Sequence, residues 1–315
     1  MAEIAIMGEL LVEIMRPHDG VPLRETDYFR GPFPSGAPGI FISTAARLGH
    51  SASIISGVGK DDFGETILDR LKKDGVDIRN VLVSDEGNTG VAFVTYYEDG
   101  SRQFLFYTKG SPAVMAKMPI NMDSFSDTRY LHVMGCSLMA DKTFGKEILK
   151  LMYYLKKNGV TISFDPNVRI EMMKDPDCMK PLREVLDNCT ILMPGVSELK
   201  MLVGLDSLDR AIAKAFENPS LEFLVLKNGS KGSRVYDRSG LVGDQGVYRV
   251  KQVDPTGAGD SFDAAFICGL AEGRTVLEAA QIGAAAGALD AAAFGPMEGN
   301  INPENIQKMI REGGL

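Results

Sequence analysis

No two cysteines stand at CxxC spacing in this 315-residue chain; Cys136, Cys178, Cys189 and Cys268 are the only four and lie far apart. That spacing argues against a disulfide framework or a thiolate zinc site, and reduced thiols of a cytoplasmic protein are expected. The three histidines, His18, His50 and His132, form no ligand spacing either. Basic excess is also missing. A formal net charge of −8 and a pI near 5.1 argue against a general nucleic-acid surface and leave room only for a local basic cleft. No apolar run is long enough to span a bilayer, so no membrane partner is expected. The opening AEIAIMGELL lacks the basic segment and cleavage site of a secretory signal. Internal repeats and low-complexity linkers are absent as well.

What is there is ordinary globular composition, with 44% apolar and 24% charged residues, and enough length to bury a substantial core. The informative stretch is 254–270, DPTGAGDSFDAAFICGL. Its small residues Gly257, Ala258 and Gly259 let the backbone turn sharply. Phe262, Ala265, Phe266 and Leu270 then keep to one face of a helix. A tight loop running into a helix start, where amides are unpaired and the dipole is positive, is an anion site. Asp260 in that place has two readings: a helix cap, or a general base aimed at a hydroxyl that attacks a phosphoryl group.

DPTGAGDSFDAAF resembles the C-terminal signature of the PfkB, or ribokinase-like, family of sugar kinases, and the resemblance runs over essentially the whole chain. It implies that Asp260 is the catalytic base and that Gly257, Ala258 and Gly259 form the anion hole. It further implies ATP and Mg2+ as cofactors, with a monovalent cation such as K+ in some relatives.

Taken in order, 4–7 reads as a buried strand broken by Gly8, and 10–15 as a second apolar stretch. Glu13 stands where family members often carry an Asp that contacts sugar hydroxyls; a plain surface carboxylate is the other reading. FRGPFPSGAPGIFISTAARLG, 29–49, resembles the family's N-terminal signature, a Gly-Gly loop and a following Asn that hold the sugar. Ser35 replaces the first Gly and Ile40 the Asn, which leaves Gly36 as the expected substrate contact. Two β-rich runs around Asp99-Gly100 predict a hairpin that covers a substrate cleft as a lid. Its aromatics Tyr96, Tyr97, Phe104, Phe106 and Tyr107 face a sugar, the lid's own apolar side or a dimer partner; Tyr96 and Tyr107 are the expected sugar contacts.

FDPNVR follows a strand predicted to end at Phe164, so Asp165, Asn167 and Arg169 point beyond a strand terminus, where parallel α/β sheets gather ligands. The resemblance puts Arg169 at the substrate and Asn167 toward the nucleotide. Glu198 matches the family's acid that organises Mg2+ and its waters, while Gly195 replaces the accompanying Asn. Lys227, Gly229 and Gly232 match the nucleotide-binding strand-turn-strand, the lysine neutralising phosphate charge. In the alanine-rich last helices Ala284 is the expected adenine contact.

The expected architecture is one α/β domain, 1–315, with a doubly wound, mostly parallel sheet and a small β lid from segments 12–33 and 88–109. The expected activity is transfer of the γ-phosphoryl of ATP to a sugar or sugar acid. Within the family the best likeness is to 2-keto-3-deoxygluconate kinases, from Gly110-Ser111 and FDPNVR, although the lid Arg of that group is missing and Thr108 and Lys109 stand nearby. Fructokinases come second, with other sugar or nucleoside kinases of the family also open. A non-catalytic sugar or nucleotide sensor is the reading from another class, and retention of Asp260 argues against it. Exposed lid edges suggest a homodimer.

Overall fold

A computed structural model describes residues 1–99, 101–173 and 177–314; the hairpin's Gly100 lies outside the described residues. The strands are β1 (Ile4–Met7), β2 (Leu11–Met15), β3 (Arg30–Ser35), β4 (Ala52–Gly59), β5 (Val81–Ser84), β6 (Gly90–Tyr96), β7 (Arg102–Tyr107), β8 (Tyr130–Met134), β9 (Thr161–Asp165), β10 (Ile191–Leu192), β11 (Phe223–Lys227), β12 (Ser233–Asp237) and β13 (Gly240–Gln245). The helices are α1 (Ala37–Arg47), α2 (Asp62–Asp74), α3 (Gly135–Ala140), α4 (Lys142–Lys157), α5 (Met179–Leu186), α6 (Val196–Val203), α7 (Leu208–Ala215), α8 (Ala258–Ala271), α9 (Val276–Ala291) and α10 (Pro303–Glu312).

Among the described residues nine strands form the main sheet in the order β13-β12-β11-β10-β9-β8-β1-β4-β5, parallel except at the β11–β12–β13 end. β1 is buried from end to end because both faces are covered, which is why it reads as an unbroken apolar run. Ile4 and Ile6 pack with α1, α8 and α9; Ala5 and Met7 pack on the opposite side with Phe144, Leu151 and Leu182 of α4 and α5. From β1 the chain builds outward through β4 and β5, then returns to β8 on the other side. The order therefore reverses between β1 and β8, and the crevice beyond their carboxyl ends is where a doubly wound sheet receives its ligand.

A second sheet, β3-β2-β6-β7, lies over that end. β6 and β7 pair antiparallel with Val94 opposite Phe104, and the Tyr97 amide donates to the Ser101 carbonyl at 2.9 Å to close the turn. One lid face packs Met15, Val94 and Phe104 with Phe33, Tyr96, Phe106 and Phe294. The alternation of β7 sends Leu105 and Tyr107 to the other face, where they are exposed.

Three elements differ from expectation. β9 runs one residue past Phe164 to include Asp165. α8 begins at Ala258, inside the small-residue stretch, with Ser261 N–H donating to the Gly257 carbonyl at 2.8 Å as its first helical bond. α3 was not foreseen, since six residues are too few to carry a helical period.

Candidate active site

The anion loop is held from three sides. Asp254, buried, accepts from Thr256 N–H at 3.0 Å and Thr256 O–H at 2.7 Å through Oδ1, and from Gly295 N–H at 2.9 Å through Oδ2. Because the Thr256 hydroxyl proton goes to Asp254, Tyr96 O–H is the donor in its 2.5 Å contact with Thr256 Oγ1. That bond ties the lid to the loop. Gly257 is left-handed, with φ 87, and a Cβ there would run into the Pro296 carbonyl and come within 2.7 Å of Asp290 Oδ2, so only glycine fits. Gly257 ends the loop and Ala258 opens the helix. The amides of Gly259 and Asp260 fall in its first turn, where no carbonyl four residues back is available inside the helix. Ile40, with no polar atom to offer, backs Gly257 as apolar packing.

Asp260 is 6% exposed at the start of α8. Asn167 Nδ2 donates to its Oδ1 at 3.0 Å. Burial pushes its pKa up to about 7, opposed chiefly by the Arg169 guanidinium. Arg169 itself stays above its ordinary range although burial works against its charge, because acids that include Asp260, Glu198 and Glu13 surround it. Its guanidinium lies 5.6 Å from the Phe104 ring centroid, beneath the lid.

Glu13 and Glu9 complete an acidic wall. Glu13, on β2 and 6% exposed, accepts from Ser35 O–H at 2.8 Å through Oε1, whereas its buried Oε2 has no partner among the described residues. Burial pushes this carboxyl up to about 7, and the Asp254 and Asp260 charges add to the rise. Glu9, just past β1, accepts from Ser137 O–H of α3, and burial raises it too. Gly36 lies against this wall with φ 95, its absent Cβ leaving room 2.5 Å from the Glu9 carbonyl. The fold thus brings Glu13, Gly36, Arg169, Asn167 and Asp260 to one crevice with the anion loop.

Other expected residues sit differently. Tyr107 is on the outer lid face, 61% exposed and edge-on to Phe93 with ring centroids 6.1 Å apart; strand alternation turns it away from the crevice, which corrects its expected role as a sugar contact. Lys227 also departs from expectation. Its Nζ donates to Asp165 Oδ2 at 2.9 Å and Asp263 Oδ2 at 2.7 Å, so two carboxylates already balance the charge expected to meet phosphate. Glu198 caps α6, accepting from Gly195 N–H at 2.8 Å and from Val168 N–H at 2.9 Å. Gly229 and Gly232 occupy the turn after β11, and Ala284 is half-buried on α9; the three stand apart from the hydrogen bonds around Asp260. The residues sequence reasoning passed over are Ser35, Ser137, Thr256 and Asp263. Ser137 had one available signal, its place just beyond the carboxyl end of a strand.

A doubly wound sheet with a β lid over its switch point, and a tight loop running into a helix that starts beside a buried carboxyl, has the architecture of a ribokinase-like phosphotransferase. The chain belongs to the pfkB family of carbohydrate kinases, whose sequence profile matches residues 3–303. It is accordingly an ATP-dependent sugar kinase. A probable fructokinase-4 of Arabidopsis thaliana is 31% identical over 277 residues, 87% of this chain and 84% of that one. Fructokinase-2 of Solanum lycopersicum is 30% identical with the same coverage. The crystal structure of a putative ribokinase II from E. coli in complex with ATP and Mg2+ superposes with a TM-score of 0.91 at 37% identity, covering 99% of this chain and 100% of that one.

Proposed function

We propose that the protein phosphorylates a hydroxyl of a neutral ketohexose of the fructose type, as one domain of residues 1–315 whose lid, from segments 12–33 and 88–109, closes over the sugar. The observation that carries this reading is Glu13 Oε2, without a partner among the described residues, in a crevice where Glu9, Glu13 and Asp260 surround the guanidinium of Arg169. Such a wall, whether its acids are charged or protonated, pairs with hydroxyls and offers no cation of its own to a second carboxylate, which disfavours the sugar acid 2-keto-3-deoxygluconate. The fructokinase names of the relatives point the same way.

In this mechanism Asp260 accepts the proton of the attacking hydroxyl while Asn167 holds its other oxygen side in place. A base poised at about 7 is matched to neutral pH. The amides of Gly259 and Asp260 and the α8 dipole stabilise the charge that develops on the transferred phosphoryl. Lid closure, tied to the loop by Tyr96 and Thr256, excludes water. Mg2+ supplies charge screening of the triphosphate when bound. Glu198 suits holding it through water, since each oxygen accepts one amide and keeps a lone pair. Asp290 fits a monovalent cation: it is 1% exposed, and neither of its oxygens has a partner among the described residues. On the outer lid face, exposed Leu105 and Tyr107 suit pairing with a second copy of the chain.

The test is ADP release with Mg-ATP against fructose, 2-keto-3-deoxygluconate, ribose and tagatose, with Asp260→Asn alongside. Fructose or tagatose is expected to lead and the variant to be inactive. A sugar acid preferred over both ketohexoses overturns the substrate reading, and turnover surviving in Asp260→Asn overturns the base.

A further inference from the structure

Lys227, Asp165, Asn167 and Asp263 form a buried cluster that the mechanism above leaves unused except at its edge. The side chains close a ring. Asp260 and Asp263 are three residues apart on α8 and so share one helix face. Asp263 Oδ2 accepts from Lys227 Nζ at 2.7 Å, and the same Nζ donates to Asp165 Oδ2 at 2.9 Å. Asp165 Oδ1 accepts the Asn167 backbone N–H at 3.0 Å, and its Oδ2 accepts from Asn167 Nδ2 at 3.3 Å. Asn167 Nδ2 then donates to Asp260 Oδ1 at 3.0 Å, which returns the ring to α8.

We propose that Lys227 is a positioning residue for Asp260 and not a ligand of the triphosphate: through Asp165 and Asn167 on one side and Asp263 on the other, it sets both the rotamer of the base and the seat of its helix. The inference rests on the reading of Asp260 as the base. Asn167 is the element that most needs the ring, because its φ of 37 lies in the left-handed region, which asparagine tolerates but does not choose without local bonds. Both hydrogens of its amide are spent on the two acids, which orients the group and leaves Oδ1 buried and without a partner among the described residues. The ammonium has one donor left and is outnumbered by the carboxylates it serves. Its nearness to the anion loop, 4.0 Å from where a Gly259 Cβ would lie, comes from seating the start of α8, with Gly259 providing the room.

The two roles separate in kinetics and binding. Lys227→Met alone strands two acids, so the informative variant is Lys227→Met with Asp263→Asn, assayed for kcat and for KM of ATP and sugar, with the Kd of ATP read by calorimetry. Lys227→Arg is run in parallel because it keeps the charge and changes the reach. A positioning role predicts that kcat falls on the order of 30-fold or more in the double variant, within the range a general base supplies, while the Kd of ATP stays within about threefold. Lys227→Arg should show a smaller loss of the same kind. Adding Asn167→Ala to the double variant should cost little more, since both changes cut one ring. A rise of roughly tenfold or more in the Kd of ATP with kcat retained overturns the proposal in favour of a phosphate ligand, and so do full activity in Lys227→Arg or an additive Asn167→Ala loss. Asp260→Asn separates the two readings: if it stays active the base assignment fails, whereas an inactive Asp260→Asn with normal kcat in the Lys227 variants sinks the ring alone.

Discussion

Two acidic clusters flank Asp260, and they are finished differently. On the β9–β11 side, Asp165 and Asp263 share the ammonium of Lys227, and Asn167 takes up further lone pairs. On the β1–β2 side, Glu9 and Glu13 accept from the hydroxyls of Ser137 and Ser35, and Glu13 keeps an oxygen with no partner among the described residues. Burial lifts both glutamates and Asp260, and on the Lys227 side it lifts Asp263 too. Of these acids Asp165 alone stays low: burial works to raise it, but the Lys227 charge together with hydrogen bonds from Asp263 and Lys227 outweighs that. Asp263 Oδ1 and Asn167 Oδ1 also lack partners among the described residues, so the two clusters differ in their cation: one is built around an ammonium, and the other leaves its pairing to a ligand.

The comparison breaks most visibly at its centre. Asp260→Asn should lower kcat by about 10³-fold, as loss of a general base does, without loss of folding, since the amide carries no buried charge; steady-state rates and a melting curve measure both. Next is Lys227→Met, which leaves two buried carboxylates uncompensated. Its expected cost is about 3–5 kcal/mol in chemical denaturation, and restoring part of that stability by Asp263→Asn would tie the loss to the pair.

On the open side Glu13→Gln should cost on the order of tenfold in kcat/KM for the sugar with the KM of ATP unchanged, as loss of one charged hydrogen-bond partner does. The same variant sharpens the contrast through pH. Glu13 is raised to about 7 in the folded protein, so between the ordinary carboxylate range and about 7 the folded state holds a proton that the unfolded state has lost. Stability of the sugar-free protein is therefore fuller below that window and declines as pH rises through it, by up to about 1.4 kcal/mol per pH unit from this group. Glu13→Gln should flatten that part of the wild-type slope, and equal slopes in the two proteins would remove Glu13 as its source. The smallest effect is expected across the lid. Tyr96→Phe, which loses the hydroxyl bond to Thr256, should reduce kcat by a few-fold, whereas Tyr107→Ser on the outer face should leave kcat and KM within about twofold. A loss at Tyr107 matching that at Tyr96 would mean that the two lid faces do not differ in the catalysed step.

Much of the site could be read before the fold was known, because its signals are local. The small residues before Asp260 announce a loop entering a helix, and FDPNVR stands at a strand end where polar residues have no other reason to cluster. Tyr107 shows the limit of that reading. Alternation along β7 separates Phe104 and Phe106 from Leu105 and Tyr107, but nothing in the strand says which pair faces the crevice. The partners of Lys227 are hidden for a similar reason. They lie 62 and 36 residues away, and no spacing in the chain encodes their meeting.

By itself, then, the sequence determined the alternation of strands and helices, the buried parallel sheet implied by β1, and the tight loop that enters a helix just before Asp260, all of which follow from backbone preference and periodicity over a few residues. Only the tertiary structure decided which acids share a cation and which stay open, and which lid face is turned inward. Pairing and desolvation depend on what surrounds a group in space, and the strands that surround Asp260 come from opposite ends of the chain.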